Sequence, residues 1–503
     1  MRRGAALAAL VTVAGGSAPA WAEEPSEERY HPFLSYRLGD IEMSMPVMVA
    51  GRVEGVSSFP VDRDGNTFQS GAAISPLVRL GARIESVKPL GGKFLVFAEY
   101  EHDLLTGTWT SREPLAGADL PNSTALASQI RKGWARFSVG PYFHVGGGLM
   151  TSHWGLGLLA NDGAHGWEPG SARFTDPRSG NLVLRGFVGM GPLGSSHVAA
   201  TLAIDKVRSD NVLLAGDSAY QAIASVVVGH DRPNNIGYFL VHRRQEAADG
   251  SVLEINVVDM AGRLAFDLPK QAKLTLEAEG ALIFGYTTLG ASVEHPDSSV
   301  TQLGGVLRAS LAYPRVGGVL DLVYASGDSN THDGRVMGFH ANPNFETGLL
   351  LFRYVQAAQT GRGYATATDP ALVGFPPGGA ERLPSRGGLS NAVVVFPRVW
   401  ARPVRGLETY GGVLVALAPT KNVDAFNTDI AGGSPRNALG GSPGAYWGTE
   451  IDLGARYRLN LRGMQLDAGV EGGVLFPGSA LADAAGKAPG PVYGGRFMLG
   501  YRL

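Results

Sequence analysis

The chain ends on the stretch VYGGRFMLGYRL, residues 492–503, in which two kinds of side chain alternate. One face carries the aromatic and aliphatic side chains of Tyr493, Phe497, Leu499, Tyr501 and Leu503. The opposite face carries Arg496 and Arg502. Successive side chains of a β-strand point to opposite faces, so this two-residue period is that of a strand. The chain therefore ends on a strand with one apolar and one charged face.

The same period recurs upstream. Val78 and Leu80 alternate with Arg79, and Ile451 alternates with Asp452. Segments of about 9–11 residues are long enough to cross a bilayer as tilted strands. The pattern predicts an all-β fold, a transmembrane antiparallel β-barrel with apolar faces toward lipid and polar faces toward the lumen. A soluble secreted β-sandwich with its polar faces in water is the alternative.

Short and long connections alternate along the chain. Tight turns are predicted near residues 89–92, 140–141, 191–196, 231–235, 267–272, 314–315, 403–407 and 460–463. Longer polar segments lie at about 56–71, 103–126, 151–181, 207–220, 244–251, 287–300, 327–391, 420–445 and 476–490. Eight turns and nine loops predict about 18 strands, with short periplasmic turns, long extracellular loops and both termini at the periplasmic end.

One segment does not fit this alternation. Gly348 to Tyr354 has the composition of a strand, but counting it would break the order of turns and loops. We assign it to the loop 327–391, folded onto the mouth of the barrel or into the lumen. If it spanned the membrane, a partner strand would have to lie between Gln356 and Asn391, and the barrel would have twenty strands.

The N-terminus has the features of an export signal. Arg2 and Arg3 precede a short apolar run, and a small-x-small site ends at Ala22. We therefore expect a signal peptide over residues 1–22, a periplasmic lead over 23–44 and the barrel over 45–503. The expected location is the bacterial outer membrane, reached through the periplasm.

Composition excludes several classes of protein. There are no cysteines, which excludes disulfide frameworks and thiolate metal sites. The formal net charge of −2 becomes −4 once Arg2 and Arg3 are removed, which argues against a nucleic-acid partner. A mean hydropathy of +0.02 suits a barrel whose strands alternate polar and apolar residues. No cofactor is expected.

The polar faces predict which charged residues line the lumen. The basic set comes from the first and last strands and comprises Arg52, Arg79, Arg83, Lys132, Arg136, Arg398, Arg456, Arg458, Arg496 and Arg502. The acidic set comes from the middle strands and comprises Asp205, Glu254, Glu277, Glu279 and Asp321. Barrel closure would place these sets on opposite walls, where they could select charged solutes. Alternatively, neighbouring carboxylates such as Glu54 and Glu101 neutralise the bases.

Two further patterns are candidates for chemical sites. Asp328, Asn330 and Asp333 surround a turn rich in oxygen ligands, but the spacing departs from that of a calcium loop, and a hydrated turn is the simpler interpretation. Glu101-His102-Asp103 and His230-Asp231 pair histidine with acids, without the serine motif of a hydrolase. The sequence therefore predicts no enzyme and no metal site. Tryptophans near strand ends, Trp109, Trp154, Trp400 and Trp447, are expected at the membrane interface.

Two resemblances add to this prediction. The final strand, with Tyr501 and Leu503, looks like the C-terminal assembly signal of outer-membrane barrels, which implies the barrel-assembly machinery and outer-membrane lipids as partners. Residues 316–417, through Tyr324-Ala-Ser-Gly-Asp328 and Phe339, resemble alginate-export-type porins. That family implies a conduit for an anionic polysaccharide.

The expected function is a porin-like channel for small or anionic solutes, including a possible polysaccharide cargo. A structural or adhesive outer-membrane barrel with a loop-plugged lumen is the alternative.

Overall fold

The computed structural model describes residues 34–68, 70–86, 92–104, 106–107, 126–163, 180–290, 294–331, 333–372, 379–461 and 464–503. The predicted signal peptide and the first half of the predicted lead, residues 23–33, lie outside these residues. So do Trp109 and the greater part of the predicted turn at 89–92.

Eighteen antiparallel strands close into a barrel. They are β1 Val47–Val56, β2 Gly71–Ser86, β3 Lys93–Leu104, β4 Leu126–Val139, β5 Phe143–Thr151, β6 Leu182–Leu193, β7 Val198–Ser209, β8 Ser218–Val228, β9 Asn235–Glu246, β10 Val252–Leu268, β11 Ala272–Thr287, β12 Ser298–Ala312, β13 Val316–Ala325, β14 Ala392–Ala401, β15 Leu407–Leu417, β16 Tyr446–Leu461, β17 Met464–Pro477 and β18 Val492–Arg502. Each strand pairs with its neighbour in sequence, and β18 pairs with β1, with Arg502 opposite Met48. The predicted strand number is confirmed.

Short turns lie at one end of the barrel and long loops at the other. Residues 140–142 join β4 to β5, whereas residues 326–391 join β13 to β14. The first barrel strand begins and the last one ends at the end with the short turns, where Leu503 donates its N–H to the carbonyl of Val47 at 2.9 Å. We call the two ends the turn end and the loop end, and number the loops 1 to 9 in chain order. The predicted alternation is confirmed.

Exposure is inverted relative to a soluble sheet. On β7, Leu202 and Ile204 are 60% and 70% exposed, whereas Ala203 and Asp205 between them are buried. The other strands repeat this outward apolar face. Such a surface is stable against hydrocarbon rather than water. Among the described residues, no helix is long and apolar enough to cross a membrane.

The segment that did not fit the alternation folds inside the barrel. Leu351–Gln356 forms a π-helix that continues into α1, Ala357–Thr368. β13 and β14 pair directly, with Ala325 opposite Ala392, so no additional strand pair separates them. The count of twenty is therefore excluded.

The remaining elements are short. The loops carry α2 (Ala425–Ile430), three 3₁₀ turns (Pro370–Leu372, Ala380–Arg382, Ser479–Leu481) and the short strands Phe59–Pro60, Thr67–Phe68, Thr106–Gly107 and Arg335–Val336. The hairpin Ser35–Leu38 and Ile41–Ser44 pairs with β2 at the turn end, with Ile41 opposite Ser86.

The hydrophobic core lies in the lumen. Phe345, Phe352 and Tyr354 of loop 7 belong to the same buried cluster as Phe396 and Leu414 of the wall. The tryptophans predicted at the membrane interface are buried instead, Trp154 and Trp447 in this cluster and Trp400 in a smaller one with Val319 and Tyr410. Trp154, Trp400 and Trp447 are 2%, 4% and 1% exposed and face the interior, the last of them at a register shift in β16.

Candidate functional site

Loop 3 folds into the lumen and is held by a carboxylate of the wall. Glu279 on β11 accepts hydrogen bonds from the backbone N–H groups of Leu156 and Leu158, the latter at 3.1 Å. Gly155 precedes these donors with a φ of +56°, and a Cβ there would lie 2.7 Å from Glu279 Oε2. A residue with a side chain would be strained at this φ and would come too close to the carboxylate.

Loop 7 is held in the same way on the other side of the barrel. Glu450 on β16 accepts hydrogen bonds from the N–H groups of Leu349, Leu350 (2.9 Å) and Leu351 (2.8 Å). These groups begin the π-helix, where N–H groups have no partner within the helix and attract an anion. Gly348 precedes them with a φ of +72°, and a Cβ there would lie 2.8 Å from Glu450 Oε1.

Further polar contacts fix loop 7 to the first and last strands. The hydroxyl of Tyr354 donates to Glu54 Oε2 at 2.7 Å. Glu346 lies 2.8 Å from Arg496 Nη2 and also pairs with Arg353. Because these groups are buried, their pairing avoids the large cost of an isolated charge away from water.

The two loops join inside the lumen. The N–H of Asn342 in loop 7 donates to the carbonyl of Leu158 in loop 3 at 2.7 Å. The side-chain amide of Asn342 donates to Asn181 Oδ1 at 3.0 Å. The joined segments, residues 152–163 and 339–358, extend from the β9–β11 wall to the wall formed by β16–β18 and β1. We call them the loop bridge.

A cavity of about 330 Å³ lies between the loop bridge and the loop end. Its lining includes Gln302, His340, Gln359 and Trp447. Burial, followed by the nearby charge of Arg386, lowers the pKa of His340 to about 4, so its ring is neutral at physiological pH. The cavity is therefore lined in part by neutral polar groups suited to a hydrated solute.

The structure pairs most of the predicted lumen bases with neighbouring acids. The pairs are Arg52–Glu54 at 3.0 Å, Arg79–Glu101 at 2.6 Å, Arg83–Glu85 at 3.0 Å, Arg398–Asp321 at 2.7 Å, Arg456–Glu408 at 2.7 Å, Arg458–Asp467 at 2.7 Å and Arg496–Glu471 at 2.6 Å. Lys132 lies over the ring of Phe97, Arg136 is buried, and Arg502 lies near the turn end. All ten bases are on inward-facing positions of their strands.

The predicted acids do not form an opposite wall. Asp205 binds Arg185 at 2.8 Å, Glu277 lies 3.7 Å from Arg263, and Glu279 holds loop 3. Asp321 pairs with Arg398, a base that the sequence predicts on the opposite wall. The charges are thus interleaved because adjacent strands supply both signs.

Glu254 departs from its predicted place. On β10 the buried positions Ile255, Val257 and Asp259 are odd-numbered, whereas Glu254 has the parity of the exposed Met260. Its side chain lies on the outer face, 3.1 Å from Arg244. The apolar loop bridge packs against β10, so the inner face of this strand is partly apolar. On β10, the more polar face is therefore not the face that points into the lumen.

In each of two clusters between the loop bridge and the turn end, two arginines bind one carboxylate. Asp321 binds both Arg308 (2.7 Å) and Arg398 (2.7 Å). Glu408 binds both Arg402 (2.9 Å) and Arg456 (2.7 Å). Each cluster has two guanidinium groups for one carboxylate. We call these clusters the arginine triads; the lumen set predicted from the sequence omitted Arg308 and Arg402.

In Arg398 of the first triad, the Nε and Nη1 groups have no hydrogen-bond partner among the described residues. The guanidinium group is buried and lies over the ring of Phe396, 4.5 Å from its centroid. It therefore retains donor capacity for an anion that reaches this part of the lumen.

In the turn that carries Asp328, Asn330 and Asp333, both carboxylates bind groups of the turn itself. Asp328 accepts hydrogen bonds from the N–H groups of Asn330 and Met337, and Asp333 pairs with Arg335 at 2.8 Å. In the described part of the chain, no three or more His, Asp or Glu side chains are grouped for a metal ion.

The histidines next to acids were the other chemical candidates. His102 lies on the outer face of β3, where its ring contacts Ser128, while Glu101 faces the lumen. His230 lies 3.3 Å from Asp231 at the turn end.

Several residues of the site were not predicted, because each is marked by only a few positions of the sequence. Arg131 precedes Lys132 at a register shift in β4, so both side chains are buried, and Arg131 Nη1 contacts Glu99 at 2.7 Å. The repeated pattern of glycine followed by leucines, at 155–158 and 348–351, marks both loop anchors. The pattern indicates an anchor only together with Glu279 and Glu450, which lie far away in the sequence.

No family model matches the chain, and no curated protein matches it. Solved structures do. The chain is similar to the outer membrane protein OprD from Pseudomonas aeruginosa, with 10% identity, a TM-score of 0.52 and 97% of each chain covered. It is similar to Pseudomonas aeruginosa OccK2 (OpdF) in complex with glucuronate, with 10% identity, a TM-score of 0.50, and 94% and 99% covered. It is similar to Pseudomonas aeruginosa OpdK with vanillate, with 12% identity, a TM-score of 0.50, and 91% and 98% covered.

At these identities the likeness shows the fold alone, a closed eighteen-strand antiparallel β-barrel of the kind seen in these outer-membrane proteins. The similar structures are not of the alginate-export type, so the finer resemblance drawn from residues 316–417 is not supported.

Proposed function

We propose that the chain is an outer-membrane channel for small solutes that favours anions. The observation that carries this proposal is the pair of arginine triads in the lumen of a closed eighteen-strand barrel. Single-chain barrels place short turns in the periplasm and long loops outside, which orients the turn end toward the periplasm. The triads then lie between the loop bridge and the periplasmic mouth.

The loop bridge favours small solutes over a polymer. Barrels of 16–18 strands enclose an aqueous channel unless something fills it. Here the contact of Asn342 with Leu158 and Asn181 spans that space. A polysaccharide, as the alginate-export resemblance would imply, needs a continuous wide path, whereas a small molecule can pass beside a bridge.

Charge favours anions. Rings of arginine select anions in pores because they compensate for the lost hydration of the solute. Two of the similar structures are those of OccK2 in complex with glucuronate and OpdK with vanillate, and both ligands are carboxylates. The same chemical class suits Arg398, whose Nε and Nη1 groups have no hydrogen-bond partner in the part of the chain that the structure describes.

A structural or adhesive barrel is the second candidate. The buried loop bridge favours it, since Leu350, Phe352 and Glu450 are each no more than 1% exposed and fill one side of the lumen. The decisive experiment is the current through a planar bilayer that contains the purified full chain. Discrete conductance steps support the channel. A silent bilayer, with insertion confirmed by protease protection, supports the adhesive barrel.

Export remains part of the proposal. Cleavage after Ala22 would give a mature chain beginning near Glu23, and the final strand with Tyr501 and Leu503 would be recognised by the assembly machinery. The mass of the protein recovered from outer membranes tests the cleavage site. A chain that retains residues 1–22 would contradict it.

A further inference from the structure

A row of outward-facing residues near the turn end alternates large side chains with glycine. Strand pairing places Leu311, Gly318, Val399, Gly411 and Leu453 side by side, in that order, on β12 to β16. Neighbouring strands are about 4.8 Å apart, so each glycine leaves a gap between the large side chains on either side of it, which form ridges on the outer surface.

The glycines leave the ridges exposed. Val399, with a glycine on each side, is 67% exposed, and Leu453 is 63% exposed. A groove of about 530 Å³ runs beside Val399 and continues over Val316 and Ala401. Its floor is backbone, backed from the inside by Trp400, whose ring lies 2.4 Å from where a Cβ on Gly317 would be. The groove is therefore built into the wall of the barrel.

Two arginines stand at the end of this groove. Arg315 and Arg405 occupy adjoining turns, residues 313–315 and 402–406, which are joined by a hydrogen bond from Arg402 N–H to the carbonyl of Arg315 at 2.7 Å. Both side chains are exposed, and neither is within ion-pairing distance of an acid in the described part of the chain. These two turns contain no acidic residue. Arg402, by contrast, turns inward to Glu408.

We propose that this groove binds an anionic phospholipid of the periplasmic leaflet. An acyl chain lies over Gly318 and Gly411, where apolar burial stabilises it. The phosphate contacts Arg315 and Arg405, since basic residues at a membrane surface attract anionic headgroups. The orientation rests on the proposed function, which places the turn end in the periplasm. A second copy of the chain is disfavoured because a twofold contact would bring like charges together.

Native mass spectrometry of the full chain in detergent, titrated with phosphatidylglycerol or phosphatidylcholine, tests this proposal. The wild-type protein should retain one phosphatidylglycerol roughly tenfold more tightly than phosphatidylcholine. Arg315→Gln with Arg405→Gln should abolish this preference. Gly318→Leu should fill the groove and weaken both lipids; a Cβ at Gly318 has room, with its nearest neighbour at 3.5 Å.

Arg232→Gln with Lys270→Gln, in turns away from the groove, is the matched control and should leave the preference unchanged. Equal retention of the two lipids, or a preference that survives the Arg315 and Arg405 substitutions, would overturn the proposal. Dimers that form through the groove in place of lipid adducts would also overturn it. Bilayer conductance does not depend on this site, so the failure of one proposal is distinguishable from the failure of the other.

Discussion

Tyr354 donates its hydroxyl hydrogen to Glu54 at 2.7 Å, across 300 positions of the sequence. The contact ties the π-helix of loop 7 to the first strand, next to where the barrel closes. Burial and the neighbouring carboxylate of Glu54 raise the pKa of the Tyr354 hydroxyl, so this group stays protonated and remains a donor. The lumen therefore holds a folded segment whose position depends on a few polar contacts with the wall.

Tyr354→Phe should loosen loop 7 by about 1 kcal/mol, because it removes one buried hydrogen bond and leaves Glu54 paired with Arg52. Limited trypsin digestion should cut the loop faster, and bilayer current should fluctuate more. Tyr324→Phe is the control, since Tyr324 faces outward on β13. Equal digestion rates for the two variants and the wild type would show that the hydroxyl does not hold the loop.

Glu450→Gln should release loop 7 more strongly. A neutral amide offers one acceptor oxygen where the carboxylate now binds three N–H groups, a loss of roughly 2–3 kcal/mol. We expect larger single-channel conductance, because the loop bridge no longer reaches the β16 wall. Glu254→Gln, on the outer face, should leave conductance unchanged. An identical conductance for Glu450→Gln would contradict the role of this carboxylate as an anchor.

Gly155→Ala should displace loop 3. A non-glycine residue at this positive φ costs about 1–2 kcal/mol, and its Cβ would meet Glu279 at 2.7 Å. Hydrogen exchange at Leu156 and Leu158 should accelerate. Gly186→Ala is the matched control, because a Cβ at Gly186 meets nothing within 4 Å. Unchanged protection in Gly155→Ala would mean that loop 3 does not depend on this approach to Glu279.

The strand number could be predicted because it depends on local signals. Turn residues such as Pro314 and the two-residue period around Arg79 act over a few positions, so a single chain reveals them. The interior could not be predicted in the same way. Asn342 donates a hydrogen bond to Leu158, which is 184 positions away in the sequence. No local sequence pattern predicts a contact between residues so far apart.

The same interior explains the misplacement of Glu254. A water-filled lumen would make every inner face polar, but the loop bridge makes Ile255 and Val257 part of a hydrophobic core. The assumption that polar residues face the lumen and apolar residues face lipid therefore fails on β10. It also fails for Trp400 on β14, which is apolar and faces the interior. Where the lumen stays polar, as at Arg79 and Arg456, the predicted positions face inward.

The reversal potential of the reconstituted channel under a potassium chloride gradient tests the central claim most directly. We predict that the reversal potential has the sign expected for a channel more permeable to chloride than to potassium. It should move toward zero in Arg308→Gln with Arg402→Gln, which removes one charge from each arginine triad and leaves Asp321 and Glu408 each with an arginine partner. Arg244→Gln, on the outer face, should not change it. A potential set by potassium, or one that the double substitution leaves unchanged, would contradict the claim that the arginine triads make this barrel an anion-favouring channel.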